Sequence, residues 1–81
     1  MNIEVQFFSR LRDLAGASRL NVALPDGATL AELLARLYAD HPALRPWDAH
    51  LLLAVGLDYA PREHVLRDGE SVAIMPPVQG G

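Results

Sequence analysis

Residues 29–42 constrain the fold more than any other part of the chain. Thr29 with Glu32 three residues on reads as a capping box, in which each side chain accepts a hydrogen bond from the other residue's backbone N–H. Leu30, Leu33, Leu34, Leu37 and Tyr38 then recur at helical spacing up to the stop imposed by Pro42. The helix so predicted has a single apolar stripe. In a chain of 81 residues only a β-sheet can cover it.

The flanks supply that sheet. Ile3, Val5 and Phe7 alternate with Asn2, Glu4 and Gln6, the period of two of a half-buried strand. Leu20, Val22 and Leu24 alternate with Arg19, Asn21 and Ala23 in a second strand, closed by the turn Pro25-Asp26-Gly27. Between them Ser9 is placed to cap a short helical turn running through Leu14, with Gly16 as its left-handed stop. Residues 41–50 carry two prolines and a tryptophan without helical or strand periodicity and read as a loop with room for a helical turn. Residues 51–57 read as a buried strand and Val65-Leu66 as a short one. After the turn Arg67-Asp68-Gly69-Glu70, residues 71–75 form the last strand with Val72 and Ile74 inward. A hairpin, a helix across the sheet and a return strand parallel to the first in the sheet's centre is the β-grasp arrangement, an α+β fold with a mixed sheet. Residues 1–75 are expected to form this domain and residues 76–81 an extended, protruding tail.

A chain this short holds one core and leaves no room for a built cleft, which argues against a stand-alone enzyme. The absence of Cys removes disulfides, thiolate metal sites and thiol nucleophiles, and fits a cytoplasmic location. The first five residues lack the features of a secretory signal, and the apolar run 51–55 is far too short to span a bilayer, so no membrane partner is expected. Arg10, Arg12, Arg19, Arg36, Arg45, Arg62 and Arg67 are all of the basic residues and are spread singly, leaving no stripe for nucleic acid. Without lysine, the chain cannot accept an isopeptide bond on a side chain. His41, His50 and His64 fit no metal spacing, and no Gly-rich phosphate loop is present, so neither a metal nor a bound cofactor is expected.

The last six residues are Pro76-Pro77-Val78-Gln79-Gly80-Gly81. Two terminal glycines arise by chance in roughly one chain in two hundred at average usage. Pro76 and Pro77 cannot donate to a ladder and hold the backbone extended, so a stiff stalk should project from the sheet. Gly80 and Gly81, without side chains, can thread a narrow groove in another protein. A free α-carboxylate titrates near pH ~3.5 and is ionised and unreactive at neutral pH, so it needs activation. Adenylation by ATP followed by attack of a sulfur nucleophile would leave a thiocarboxylate on Gly81. A frayed terminus is the plain alternative.

Phe7-Phe8 followed by Arg12 and Leu14-Ala15-Gly16, the stretch Leu66-Arg67-Asp68-Gly69-Glu70-Ser71-Val72-Ala73, and above all Pro76-Pro77-Val78-Gln79-Gly80-Gly81 resemble the MoaD family, the small subunit of molybdopterin synthase, over nearly the whole chain. The resemblance implies a sulfur carrier adenylated at Gly81 by a ubiquitin-activating-type enzyme, MoeB, which supplies the ATP site. It implies thiocarboxylation, then sulfur donation to cyclic pyranopterin monophosphate on the large subunit MoaE, within a heterotetramer whose catalytic side chains belong to the large subunit. Here Val55 is followed by Gly56-Leu57-Asp58, where family members often read Val-Asn. Other readings are a carrier for another pathway such as thiamine thiazole synthesis, a ubiquitin-like protein modifier, and a plain β-grasp binding module.

For the partner interface, Phe8 falls on the polar face of the first strand and Met75 on the outward face of the last, so neighbouring strands would join them in one exposed apolar patch beside the tail. The resemblance adds Arg12 and Tyr59, and the tail residues Pro76, Pro77, Val78 and Gln79. Ordinary surface apolars are the alternative for Phe8 and Met75, and edge packing for Tyr59. Trp47 reads as a cap on the core, and Arg10, Arg12 and Asp13 as a solvated mixed-charge cluster.

Overall fold

The computed structural model describes residues 1–77. Five strands form one sheet in the order β2-β1-β5-β3-β4, with β1 at Asn2–Phe7, β2 at Arg19–Ala23, β3 at Leu52–Val55, β4 at Asp58–Tyr59 and β5 at Ser71–Met75. β1 and β2 are antiparallel, with Ile3 opposite Val22 and Val5 opposite Leu20. β1 and β5 are parallel, pairing Val5 with Val72 and Phe7 with Ile74. The inward side chains predicted for β1 and β5 are the buried ones, and the return strand lies beside the first as the element order requires.

Helix α2, Leu30–Asp40, is the main helix. Its capping box is complete: Glu32 N–H donates to Thr29 Oγ1 at 3.3 Å and Thr29 N–H donates to Glu32 Oε1 at 3.3 Å. Leu30, Leu33, Leu34, Leu37 and Tyr38 are buried in the same core as Ile3, Val5, Phe7, Val72 and Ile74, so the single apolar stripe lies on one face of the sheet.

Four local expectations need correction. Ser9 occupies the N-cap position of helix α1 (Arg10–Ala15), but its side chain makes no capping bond, and the residue takes φ 52° and ψ −132° instead of the extended backbone usual at an N-cap. The stop at Gly16 is as expected, with its N–H donating to the Arg12 carbonyl. Residues 41–50 are more regular than a loop with a helical turn: Pro42–His50 is a 3-10 helix throughout, opened by Pro42, with Leu44 and Trp47 three residues apart turned toward the core.

The strand expected over residues 51–57 ends at Val55. Val55 pairs with Asp58 around Gly56-Leu57, a two-residue hairpin whose first central residue needs a positive φ, 63° at Gly56. Leu57 is therefore fully exposed at the tip rather than buried. Val65-Leu66 is no strand but a single bridge between Thr29 and Val65. Residues 61–66 instead cross the start of α2, where the carbonyls of His64 and Arg62 accept from Leu30 N–H and Ala31 N–H at 2.9 Å each. Those first-turn donors have no partner inside a helix, and satisfying them outweighs extending the sheet.

Candidate functional site

Because β1 and β5 are parallel, both strands end at the same edge of the sheet. There β1 turns into α1 through Phe8 and Ser9, and β5 hands over to Pro76 and Pro77. Phe8 N–H donates to the Ile74 carbonyl at 3.2 Å, carrying the ladder one residue past β1. Phe7 and Ile74 face the core, so the next pair, Phe8 and Met75, faces the helix-free side. Phe8 is 39% exposed and Met75 half-buried, so the patch is less open at Met75 than the sequence implied.

The register extends this side outward. Met75 lies opposite Leu52, Ala73 opposite Ala54, and Ala54 opposite Tyr59, which is 73% exposed on the edge strand. The helix-free face is thus apolar over β5, β3 and β4. Over β1 and β2 it is polar, with Glu4 opposite Asn21 and Gln6 opposite Arg19. The structure brings Phe8, Met75, Pro76 and Pro77 to one edge and sets Tyr59 on the same face further along. Arg12 sits on α1, exposed, with its Nε–H donating to the Ser9 carbonyl at 3.4 Å. Val78, Gln79, Gly80 and Gly81 lie outside the described residues.

Three residues at this edge were missed as site residues. Ser9, Arg10 and Trp47 line, with Pro76 and Pro77, an open groove of about 360 Å³. The Arg10 guanidinium carbon lies 5.9 Å from the centre of the Trp47 ring, within cation–π range. Ser9 stands at positive φ without being glycine, a conformation costing about 1–3 kcal/mol that persists only where its surroundings hold it. Its carbonyl accepts from the Arg12 N–H at 3.1 Å, which helps to fix it.

Trp47 is fixed from behind. Asp48, the next residue on the 3-10 helix, accepts from Arg62 at 2.7 Å and from the Tyr38 hydroxyl, while its backbone carbonyl takes a second Arg62 N–H at 2.5 Å. The Arg62 hydrogen bond, then that from Tyr38, holds the Asp48 carboxyl below the usual carboxylate range, and the carboxylate in turn raises Arg62. Burial first, then Asp48, pushes the Tyr38 phenol well above its ordinary value. Arg45 lies 5.4 Å from the centre of the Tyr38 ring on the outer side. These contacts lock α2, the 3-10 helix and residues 61–64 together.

Among the described residues no group of three His, Cys, Asp or Glu side chains could hold a metal. His64 Nε2 lies 3.5 Å from Glu70 Oε1 without a hydrogen bond. No helix of the described residues is long and apolar enough to cross a membrane. Near the tail root the described residues present an apolar face, a cation on an aromatic ring and a stretch of backbone that leaves the sheet.

The ThiS family pattern matches residues 5–81. A molybdopterin synthase sulfur carrier subunit from Chlamydomonas reinhardtii is 39% identical over 83 residues, covering 100% of both chains. The protein of the same name from Escherichia coli is 40% identical, covering 98% of this chain and 99% of its own. The crystal structure of SAMP1 from Haloferax volcanii superposes with a TM-score of 0.88 at 28% identity, over 100% of both chains. With its five-stranded mixed sheet, the single long helix packed across it and the match over nearly its whole length, this ubiquitin-like β-grasp chain belongs to the ThiS family.

Proposed function

We propose that this chain is the sulfur carrier subunit of a molybdopterin synthase, and that its chemistry takes place at the carboxylate of Gly81. The observation that carries the reading is the placement of the tail root: Pro76 and Pro77 leave the central strand at an edge where Phe8 and Met75 give a partner an apolar surface. Full-length relatives named for that subunit supply the pathway.

The chemistry follows from the carboxylate's own lack of reactivity. A MoeB-like adenylyltransferase transfers AMP from ATP to one carboxylate oxygen, releasing pyrophosphate. Hydrosulfide supplied by a sulfur donor then attacks the acyl carbon, AMP departs with that oxygen, and loss of the sulfur's proton leaves a thiocarboxylate. The loaded end enters a MoaE-like large subunit and gives its sulfur to cyclic pyranopterin monophosphate, the pair forming a heterotetramer in the cytoplasm. The chain contributes no acid or base to these steps. It contributes a rigid platform, a stalk and a docking face, while ATP and the pterin are held by its partners.

Incubating the full chain with ATP, the activating enzyme and a sulfur donor, and then measuring intact mass, tests this. The expected result is replacement of one oxygen by sulfur at the C-terminus, with no such shift after deletion of Gly81 and an unchanged melting curve for the truncated chain. An unshifted mass with an active enzyme preparation would remove the carrier reading. Abundant conjugates to other proteins would favour a protein modifier instead.

A further inference from the structure

The two edges of the sheet are unequal. β4 closes one side with two residues, and Pro61, which has no N–H, follows shortly after it. β2 closes the other side with five residues, no proline and a single charged side chain, Arg19. A short edge beside a proline gives a further strand little to pair with, whereas a regular open edge is a ready template.

The register shows which groups β2 leaves free. Phe7 N–H donates to the Ser18 carbonyl at 2.9 Å, and at the other end of the pair Leu24 N–H donates to the Met1 carbonyl at 2.9 Å. Val5 lies opposite Leu20 and Ile3 opposite Val22, so bonding to β1 falls on Ser18, Leu20, Val22 and Leu24 in alternation. The N–H and C=O groups of Arg19, Asn21 and Ala23 therefore point away from β1. All three residues are exposed, and among the described residues their backbone groups make no hydrogen bond to a turn or loop.

We propose that β2 pairs antiparallel with β2 of a second copy of this chain, about a twofold axis through Asn21, which joins the two sheets into one. The strand is complementary to itself in that register. Asn21 meets the second copy's Asn21 and Arg19 meets its Ala23, so the three outward residues satisfy one another, each pair exchanging two N–H···O bonds. No charge faces a like charge, and Leu20 lies opposite Val22 on the helix side as an apolar cross-strand pair. A register centred on Arg19 would oppose two guanidinium groups, and one centred on Ala23 would bring in Pro25, which cannot donate. Met75, the start of the stalk and Tyr59 lie beyond β1 from this edge and stay uncovered, so the pairing neither needs nor blocks the carrier reading.

Sedimentation velocity and backbone amide NMR on the full chain, from about 10 μM to about 1 mM, test this. An edge of five residues is a small contact beside the ~1,200 Å² or more of a stable complex, so a dissociation constant of roughly 0.1–1 mM is expected. Amide hydrogen exchange at Arg19, Asn21 and Ala23 should slow as concentration rises, while the resonances of Met75 and Tyr59 hold still. The net charge of −3 on each copy opposes the contact, so added salt should tighten it. Asn21→Pro removes a donor that β1 does not use, and is expected to weaken pairing by roughly tenfold or more. Asn21→Asp and Asn21→Arg set like charges across the axis, each weakening pairing by roughly two- to fivefold, whereas the two variants mixed should pair at least as tightly as the wild type. Melting curves check that the variants fold. Concentration-dependent changes at Met75 and Tyr59 in place of β2, or equal association of Asn21→Asp alone and mixed with Asn21→Arg, would overturn the assignment. A chain that stays monomeric at about 1 mM would also overturn it, leaving the edge to an extended segment of another protein.

Discussion

Ser9 shows what a single residue does at this edge. A serine at φ 52° is held where glycine would sit without strain. Ser9→Gly is therefore expected to stabilise the folded chain, since release of about 1–3 kcal/mol of strain exceeds the roughly 0.5–1 kcal/mol of added chain entropy. A rise in the urea midpoint with an unchanged slope would show it, and a lower midpoint would mean that Ser9 is unstrained. Nothing in the local residue pattern signals this geometry. Serine before a short helix is the common mark of a side-chain cap, and only the backbone reveals that the cap is not made.

At the scale of elements, Asp48 joins three segments that do not otherwise share a ladder: α2 through Tyr38, its own 3-10 helix, and residues 61–64 through Arg62. The pair is partly exposed, so its contribution is about 0.5–1 kcal/mol, and Asp48→Asn is expected to lower the melting temperature by roughly 2–6 °C. The folded carboxyl loses its proton at a lower pH than the unfolded one. Its contribution is complete above the ordinary aspartate range and disappears as pH falls through the lowered value. Thermal stability of the wild type should therefore decline as pH falls below the ordinary aspartate range, about pH 4, more steeply than that of Asp48→Asn, and parallel declines would contradict the linkage. Elements with local signatures were legible in the sequence: the capping box of α2, the alternation of β1, β2 and β5, and the turns at Asp26-Gly27 and Asp68-Gly69. The 3-10 helix was not, because its apolar residues recur every three positions, at Leu44 and Trp47, and match neither the helical nor the strand period. The hairpin at Gly56-Leu57 was readable in principle from the glycine placed before an exposed residue, but the apolar run through Leu57 masked it. The grip of Asp48 on Arg62 spans fourteen positions and could not be read from local pattern.

For the whole molecule, the helix-free face is the surface we propose a partner to meet. Phe8→Asp places a charge at the root of the stalk without touching the core, and is expected to weaken binding to the large subunit by roughly 10–100-fold while the melting temperature holds. Unaltered affinity would leave Phe8 as ordinary surface. The outward positions of Phe8 and Met75 followed from alternation alone, but the way the apolar half of the face runs on to Tyr59 depended on β3 and β4, whose pairing was not foreseen. The central place of β5 also has a mechanical consequence. Tension applied through Pro77 runs along a strand hydrogen-bonded on both sides, parallel to β1 and antiparallel to β3. Such a pull shears two ladders together instead of unzipping one bond at a time, so a partner can tug on the stalk, and let it go, without unravelling the body to which it is attached.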